Sequence, residues 1–162
     1  MGRMIRHMDS IEIAAEHIIK SLKAGGTLFS MGNGGSAAQA SHLVAEFVGH
    51  DPPLAAIALT TDTSVVTAIA NDYGFEYIFE RQIRALCKKK DAVMGISTSW
   101  KSRDVFRGIL AAKEIGAFTI ALTGRRPAMA DLTINVDSDN TQEIQEAHVR
   151  IGHRLAELVS KG

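Results

Sequence analysis

Cysteine is nearly absent: Cys87 is the single thiol in the chain. One thiol cannot form an internal disulfide, so cross-linking is excluded as a source of stability and a reducing compartment is expected. An excess of charge is missing too, since eighteen Lys and Arg face eighteen Asp and Glu. That balance removes the electrostatic argument for nucleic acid or an anionic membrane as the main partner, and any anion bound must be small and locally recognised. No apolar run approaches the ~18 residues a membrane-crossing helix needs, and none at the N-terminus reads as a signal peptide. The cytoplasm is the expected location. Internal repeats, low-complexity segments and interdomain linkers are also lacking, so residues 1–162 are expected to form one domain with a sizeable core.

What is present is an alternation of short buried runs and helical patterns. Asp9 and Glu12 have capping-box spacing ahead of Ile13, Ala14, Ile18, Ile19 and Leu22, and Gly25-Gly26 stops the pattern, so a first helix is expected from about Ser10 to Ala24. Apolar runs at Thr27–Met31, Leu54–Leu59, Asp91–Ser97, Phe118–Thr123 and Leu132–Val136 are too short for core helices and right for buried strands. Between them lie helical patterns at Ser36–Gly49, Asp62–Ala70, Phe75–Lys88 and Ser102–Ile115, a short one near Pro127–Ala130, and a last amphipathic helix at Asn140–Ser160. The alternation predicts a three-layer α/β fold: a doubly wound, five-stranded parallel sheet over about residues 27–136, with helices on both faces. Ligands of such sheets bind beyond the carboxyl ends of the strands, near the switch in strand order, which directs attention to the turns after Met31 and Ile96.

The first of these turns is Gly32-Asn33-Gly34-Gly35-Ser36. Its glycines let backbone approach an anion at the start of a helix, yet it lacks the Lys of a P-loop and the spacing of a dinucleotide fingerprint, and glycine is common in such turns for backbone reasons alone. The second turn holds Ser97, Thr98, Ser99 and Ser102, hydroxyls and helix-start amides suited to chelating a monophosphate without a cation. Helix capping explains one or two of those hydroxyls and leaves the rest unexplained. His42 and Glu46, four apart, share a helix face and read as metal ligands, an acid–base pair or a polar surface. Gln145 and His153 on the last helix are separated by about 12 Å of rise and roughly 80° of turn, so long side chains or a second subunit must help if they meet. His148 falls on a different face and reads as structural. Asn71-Asp72 can make a turn or hold sugar hydroxyls, Lys88-Lys89-Lys90 ends a helix where cations are favoured, and Cys87 reads as a small buried apolar residue.

Gly32-Asn33-Gly34-Gly35-Ser36, His42 to Glu46, Asn71-Asp72-Tyr73-Gly74-Phe75, Ile96-Ser97-Thr98-Ser99 and Gln145-Glu146-Ala147-His148, in this order, resemble the phosphoheptose isomerases of the sugar isomerase (SIS) domain superfamily. The resemblance extends over nearly the whole chain and implies the flavodoxin-like SIS fold. It implies one zinc ion per subunit, held by His42, Glu46, Gln145 and His153. It also implies substrate contacts from Asn33, Gly34, Gly35, Ser36, Glu46, Asn71, Asp72, Ser97, Thr98, Ser99, Ser102 and Gln145, with the phosphate at the serine-rich turn. The family reaction interconverts sedoheptulose 7-phosphate and an aldose heptose 7-phosphate through an enediol, on the route to activated heptose for surface glycans. Glu46 and His153 are the implied base and proton donor, and a tetramer with sites between subunits is the implied assembly.

Two departures from the family pattern stand out. Trp100-Lys101 replaces the Gly-Asn usual inside the Ser-Thr-Ser-Gly-Asn-Ser loop, and His50 stands where an arginine often reaches the substrate. Two rival readings accompany the resemblance: a non-catalytic interaction protein like the replication-initiator-associating relatives, and an isomerase of another sugar phosphate.

Overall fold

The computed structural model describes residues 2–162, with side chains from Asp9 onward. Five parallel strands form one sheet: β1 (Leu28–Gly32), β2 (Ala56–Ala58), β3 (Ala92–Ser97), β4 (Phe118–Thr123) and β5 (Leu132–Asn135). Their order, β2-β1-β3-β4-β5, places the switch between β1 and β3, where Gly32 pairs with Ile96. The two turns singled out in the sequence therefore leave the sheet side by side at its carboxyl edge.

The helices are α1 (Gly2–Lys23), α2 (Gly35–Val48), α3 (Thr63–Tyr73), α4 (Ile78–Leu86), α5 (Arg103–Ile115) and α6 (Thr141–Ser160), with a single 3₁₀ turn at Phe75–Tyr77. Strand side chains alternate between faces, so the core is double. Leu28, Met94, Ile96, Ile120 and Leu122 meet α1, α2 and α6 through Ile18, Leu43, Phe47, Ile151 and Leu155. Phe29, Met31 and Val93 meet α4 and α5 through Phe79, Ile83, Val105 and Ile109. Burying an aliphatic or aromatic side chain of this size is worth about 1.5–3 kcal/mol. On that scale Ile144, Ile151, Leu155 and Val159 keep α6 on the sheet despite its position at the chain's end. Gly95 is needed where α5 crosses β3, because a Cβ there would lie 2.9 Å from Val105 Cγ1.

Three expectations from the sequence are corrected. The first helix starts at Gly2 and not near Ser10, so the Asp9/Glu12 spacing falls inside a helix and caps nothing. The pattern from Phe75 to Lys88 divides into the 3₁₀ turn and α4, ending at Leu86. No helix forms at 127–130. There the Asn135 amide donates to the carbonyls of Gly124 and Arg126 at 3.0 Å each, and the Thr123 hydroxyl donates to the same two at 2.8 Å, so side chains bind the carbonyls a helix would use.

Candidate active site at the β1/β3 switch

The β1–α2 turn is shaped by glycine. Gly34 holds φ of 54° and ψ of −121°, outside the regions open to residues with a Cβ, and as N-cap of α2 it supplies no side chain to the helix start. The Asn33 carbonyl accepts from the amides of Ser36 at 2.8 Å and Ala37 at 3.2 Å, which seats the helix directly on the turn. Gly35 lies under the Gln145 side chain; a Cβ there would sit 2.4 Å from Gln145 Nε2. The Gln39 amide donates to the Gln145 carbonyl at 2.8 Å, so α2 and α6 are joined by hydrogen bond as well as by apolar contact.

Across the switch, the loop from Ser97 to Ser102 is organised by its own hydroxyls. Ser97 Oγ accepts from the Trp100 amide at 3.1 Å and lies 3.3 Å from Ser102 Oγ, and Ser99 Oγ is 3.3 Å from the Lys101 amide nitrogen that donates to it. Ser102 is the N-cap of α5 but makes no side-chain capping bond, so capping does not account for this cluster. The outer side of the loop opens on a cavity of about 190 Å³ that includes Thr98, Ser99, Lys101, Arg125 and Arg126. Lys101 is exposed there, whereas Trp100 turns inward onto the α4/α5 core.

The third component comes from two helices distant in sequence. His42 and Glu46 project from α2 and His153 from α6, and a ligand atom from each lies within 4.8 Å of the others. His42 Nε2 is 2.9 Å from His153 Nε2 and 3.6 Å from Glu46 Oε1, with the two rings edge-on at 5.1 Å. One of those facing nitrogens carries a proton and the other a lone pair. Two imidazoles and a carboxylate are donors that zinc accepts, and a tetrahedral cation at ~2.1 Å needs its ligand atoms about 3.4 Å apart, a value the two observed separations bracket. The set fits a divalent cation. The Gln145 head group lies beside Gly35, two helical turns before His42 on α2.

Asn71 and Asp72 are exposed at the end of α3, where Asn71 Nδ2 donates to Asp72 Oδ1 at 2.9 Å, and α3 packs on the 3₁₀ turn and α4. His50 Nδ1 is 3.2 Å from the Pro52 carbonyl. His148 is buried with Nε2 3.2 Å from the Thr123 carbonyl, and burial pushes its imidazole below the ordinary value. Burial also pushes the Cys87 thiol up to about 11, with Asp91 adding to the shift, which leaves it protonated and unreactive at neutral pH.

Sequence reasoning missed Asp104. It lies on the first turn of α5, is only 3% exposed, and accepts from Asn33 Nδ2 at 2.9 Å, tying the two turns together. The available signal was its place ahead of Gly108, Ala111 and Ala112 on the apolar stripe of α5, where a carboxylate is out of character.

Comparison with known proteins agrees with this geometry. The SIS domain family matches residues 3–124. A probable phosphoheptose isomerase from Thermoplasma acidophilum is 47% identical across 99% of this chain and 92% of its own. A phosphoheptose isomerase from Aquifex aeolicus is 48% identical, covering 93% of this chain and 87% of its own. Among solved structures, a phosphoheptose isomerase from Neisseria gonorrhoeae superposes with a TM-score of 0.87 at 39% identity, over 99% of this chain and 95% of that one. One from Francisella tularensis gives 0.92 at 34% identity, over 95% and 86%.

Proposed function

Because the chain belongs to the phosphoheptose isomerase family of SIS domain enzymes, we propose that it converts sedoheptulose 7-phosphate to an aldose heptose 7-phosphate through an enediol. The observation that carries this reading is the meeting of His153 from α6 with His42 and Glu46 of α2, the helix whose N-terminus lies beside the Ser97–Ser102 loop. One end of the site has donors for a phosphate, and the other has groups that move a proton.

In this reading Ser97, Thr98, Ser99 and Ser102 hold the phosphate and thereby set which carbons face α2. Asn33, Gly34, Gly35 and Ser36 line the sugar, Gln145 meets its hydroxyls, and Asn71 and Asp72 complete the crevice. Glu46 takes a proton from C1 of the ketose, the C–H electron pair becomes the C1–C2 double bond, and the C2 carbonyl oxygen becomes an enediol hydroxyl. Delivery of a proton to C2, with loss of the C1 hydroxyl proton and closure of the carbonyl at C1, yields the aldose. Glu46 has two carboxylate oxygens, so ligation by one leaves the other for the proton. His153 turns Nε2 toward His42, and its Nδ1, without a partner among the described residues, carries the returning proton. Zinc held by His42, Glu46, His153 and Gln145 would supply Lewis-acid stabilisation of the charge that develops on the enediolate oxygens.

The same reading places residues 1–162 in one cytoplasmic domain and the working enzyme in a homotetramer with sites shared between subunits. Exposed Tyr73 and Phe75, next to Asn71 and Asp72, support a second subunit at that corner.

The test is turnover. Chelated protein given back zinc and supplied with sedoheptulose 7-phosphate is expected to form the aldose, and no product with both present overturns the reading. Glu46→Gln is expected to lower kcat by about 10²–10⁴-fold with the fold retained.

A further inference from the structure

Asp104 is an expensive residue with no role in the chemistry above. Its side chain is buried, Oδ1 accepts from Asn33 Nδ2 at 2.9 Å, and the equally buried Oδ2 meets no donor among the described residues. Burial pushes the carboxyl upward, against the Asn33 amide and the backbone amides of Val105 and Asp104, which favour the ionised form. A half-satisfied carboxylate is a poor stabiliser, since an apolar side chain of similar volume fits such a position at lower cost. Its one side-chain partner among the described residues, Asn33, lies on the other turn of the switch, just before the N-cap of α2.

We propose that Asp104 is a positioning residue that orients the Asn33 amide, so that Asn33 meets the sugar as a hydrogen-bond acceptor. The inference rests on the sugar-phosphate reading of the site. Asp104 Oδ1 is the acceptor in this contact, so it draws the Asn33 NH₂ group toward α5. The Asn33 amide oxygen, which accepts nothing from the described residues, is then the group this half-exposed side chain offers to the crevice. The Asn33 carbonyl is already committed to Ser36 and Ala37, which pins the backbone and leaves the side-chain torsions as the remaining freedom. Asp104 removes it. A polyol hydroxyl thus finds an acceptor of fixed direction and need not select one orientation from two.

The test compares variants in KM, stability and the state of the Asn33 amide. Asp104→Leu, which removes the acceptor, is expected to raise KM about 5- to 10-fold, the scale of one lost hydrogen bond, with a smaller change in kcat. Its melting temperature should equal or exceed the parent's, because an unpaired buried oxygen is gone. Asp104→Asn keeps an acceptor and is expected to restore KM, and Asp104→Ala serves the same comparison if leucine disturbs packing. Asn33→Ala combined with Asp104→Leu should be no worse than Asn33→Ala alone. Multiplying effects, or an unchanged KM in Asp104→Leu, overturn the proposal.

A second readout needs no turnover. The Asn33 side-chain amide protons should exchange slowly in the parent and Asp104→Asn and quickly in Asp104→Leu, and equal exchange in all three overturns the proposal even if the enzyme is active. Protection that follows the acceptor at residue 104, in a parent inactive on sedoheptulose 7-phosphate, sinks the substrate reading and upholds the coupling.

Discussion

Trp100 shows how much a single residue carries in this loop. It holds φ of 52°, in the left-handed region, while its indole packs on the α4/α5 core with Nε1 buried and without an acceptor among the described residues. An L-residue pays about 1–2 kcal/mol for that backbone conformation and glycine does not. Trp100→Gly and Trp100→Ala both lose the indole, but the glycine variant should be the more stable by about 1 kcal/mol in urea unfolding. The reverse order would mean that the loop relaxes once the ring is removed. His148 gives a prediction in pH. Burial lowers its pKa below the ordinary 6.5, with the Thr123 carbonyl working in the opposite direction, so the native state binds fewer protons than the unfolded chain between the two values. Its contribution is therefore whole above about pH 6.5 and is lost as pH falls from there through the native pKa. The urea midpoint should be lower at pH 5.5 than at pH 7.5, and the gap should narrow in His148→Gln.

At the scale of elements, the five strands and most helices were legible because burial writes itself as short apolar runs and 3.6-residue stripes. The misses have local causes. Asp9 and Glu12 have a spacing that serves equally well inside a helix, and the loop at 127–130 is decided by Asn135, a residue further along the chain. Helix packing was not legible at all, and two glycines make it testable. On α6 a Cβ at Gly152 would lie 3.6 Å from Leu43 Cδ1, an ordinary contact, so Gly152→Ala is expected to stabilise by about 0.5–1 kcal/mol through lower unfolded-state entropy. On α5 a Cβ at Gly108 would lie 2.6 Å from Met31 Sδ and 3.1 Å from Phe79 Cβ inside a filled core, so Gly108→Ala is expected to cost about 1–3 kcal/mol. Denaturant midpoints moving in opposite directions for the same substitution on two helices would verify the packing; a shared direction would contradict it.

For the whole molecule, the candidate site is a product of topology. The order β2-β1-β3-β4-β5 sets the glycine turn beside the serine turn, and the docking of α6 on α2 carries His153 to His42 across 111 residues of sequence. The motifs at each turn could be read locally, but neither helix alone implies the triad, and Asp104 gains a partner only once β1 and β3 are neighbours. A cation at His42, Glu46 and His153 would bind the folded chain and have no comparable set in the unfolded one, so it should stabilise the molecule by mass action. At zinc one hundredfold above its dissociation constant this amounts to about 2.7 kcal/mol, which for a domain of this size raises Tm by roughly 5–10 °C. Calorimetry of chelated protein should show that rise on adding zinc. It should disappear in His42→Ala and in His153→Ala, which remove ligands from different helices, and persist in Asp104→Leu, which leaves the triad intact. A zinc response surviving in both histidine variants would put the cation elsewhere and separate the fold from the metal chemistry assigned to α2 and α6.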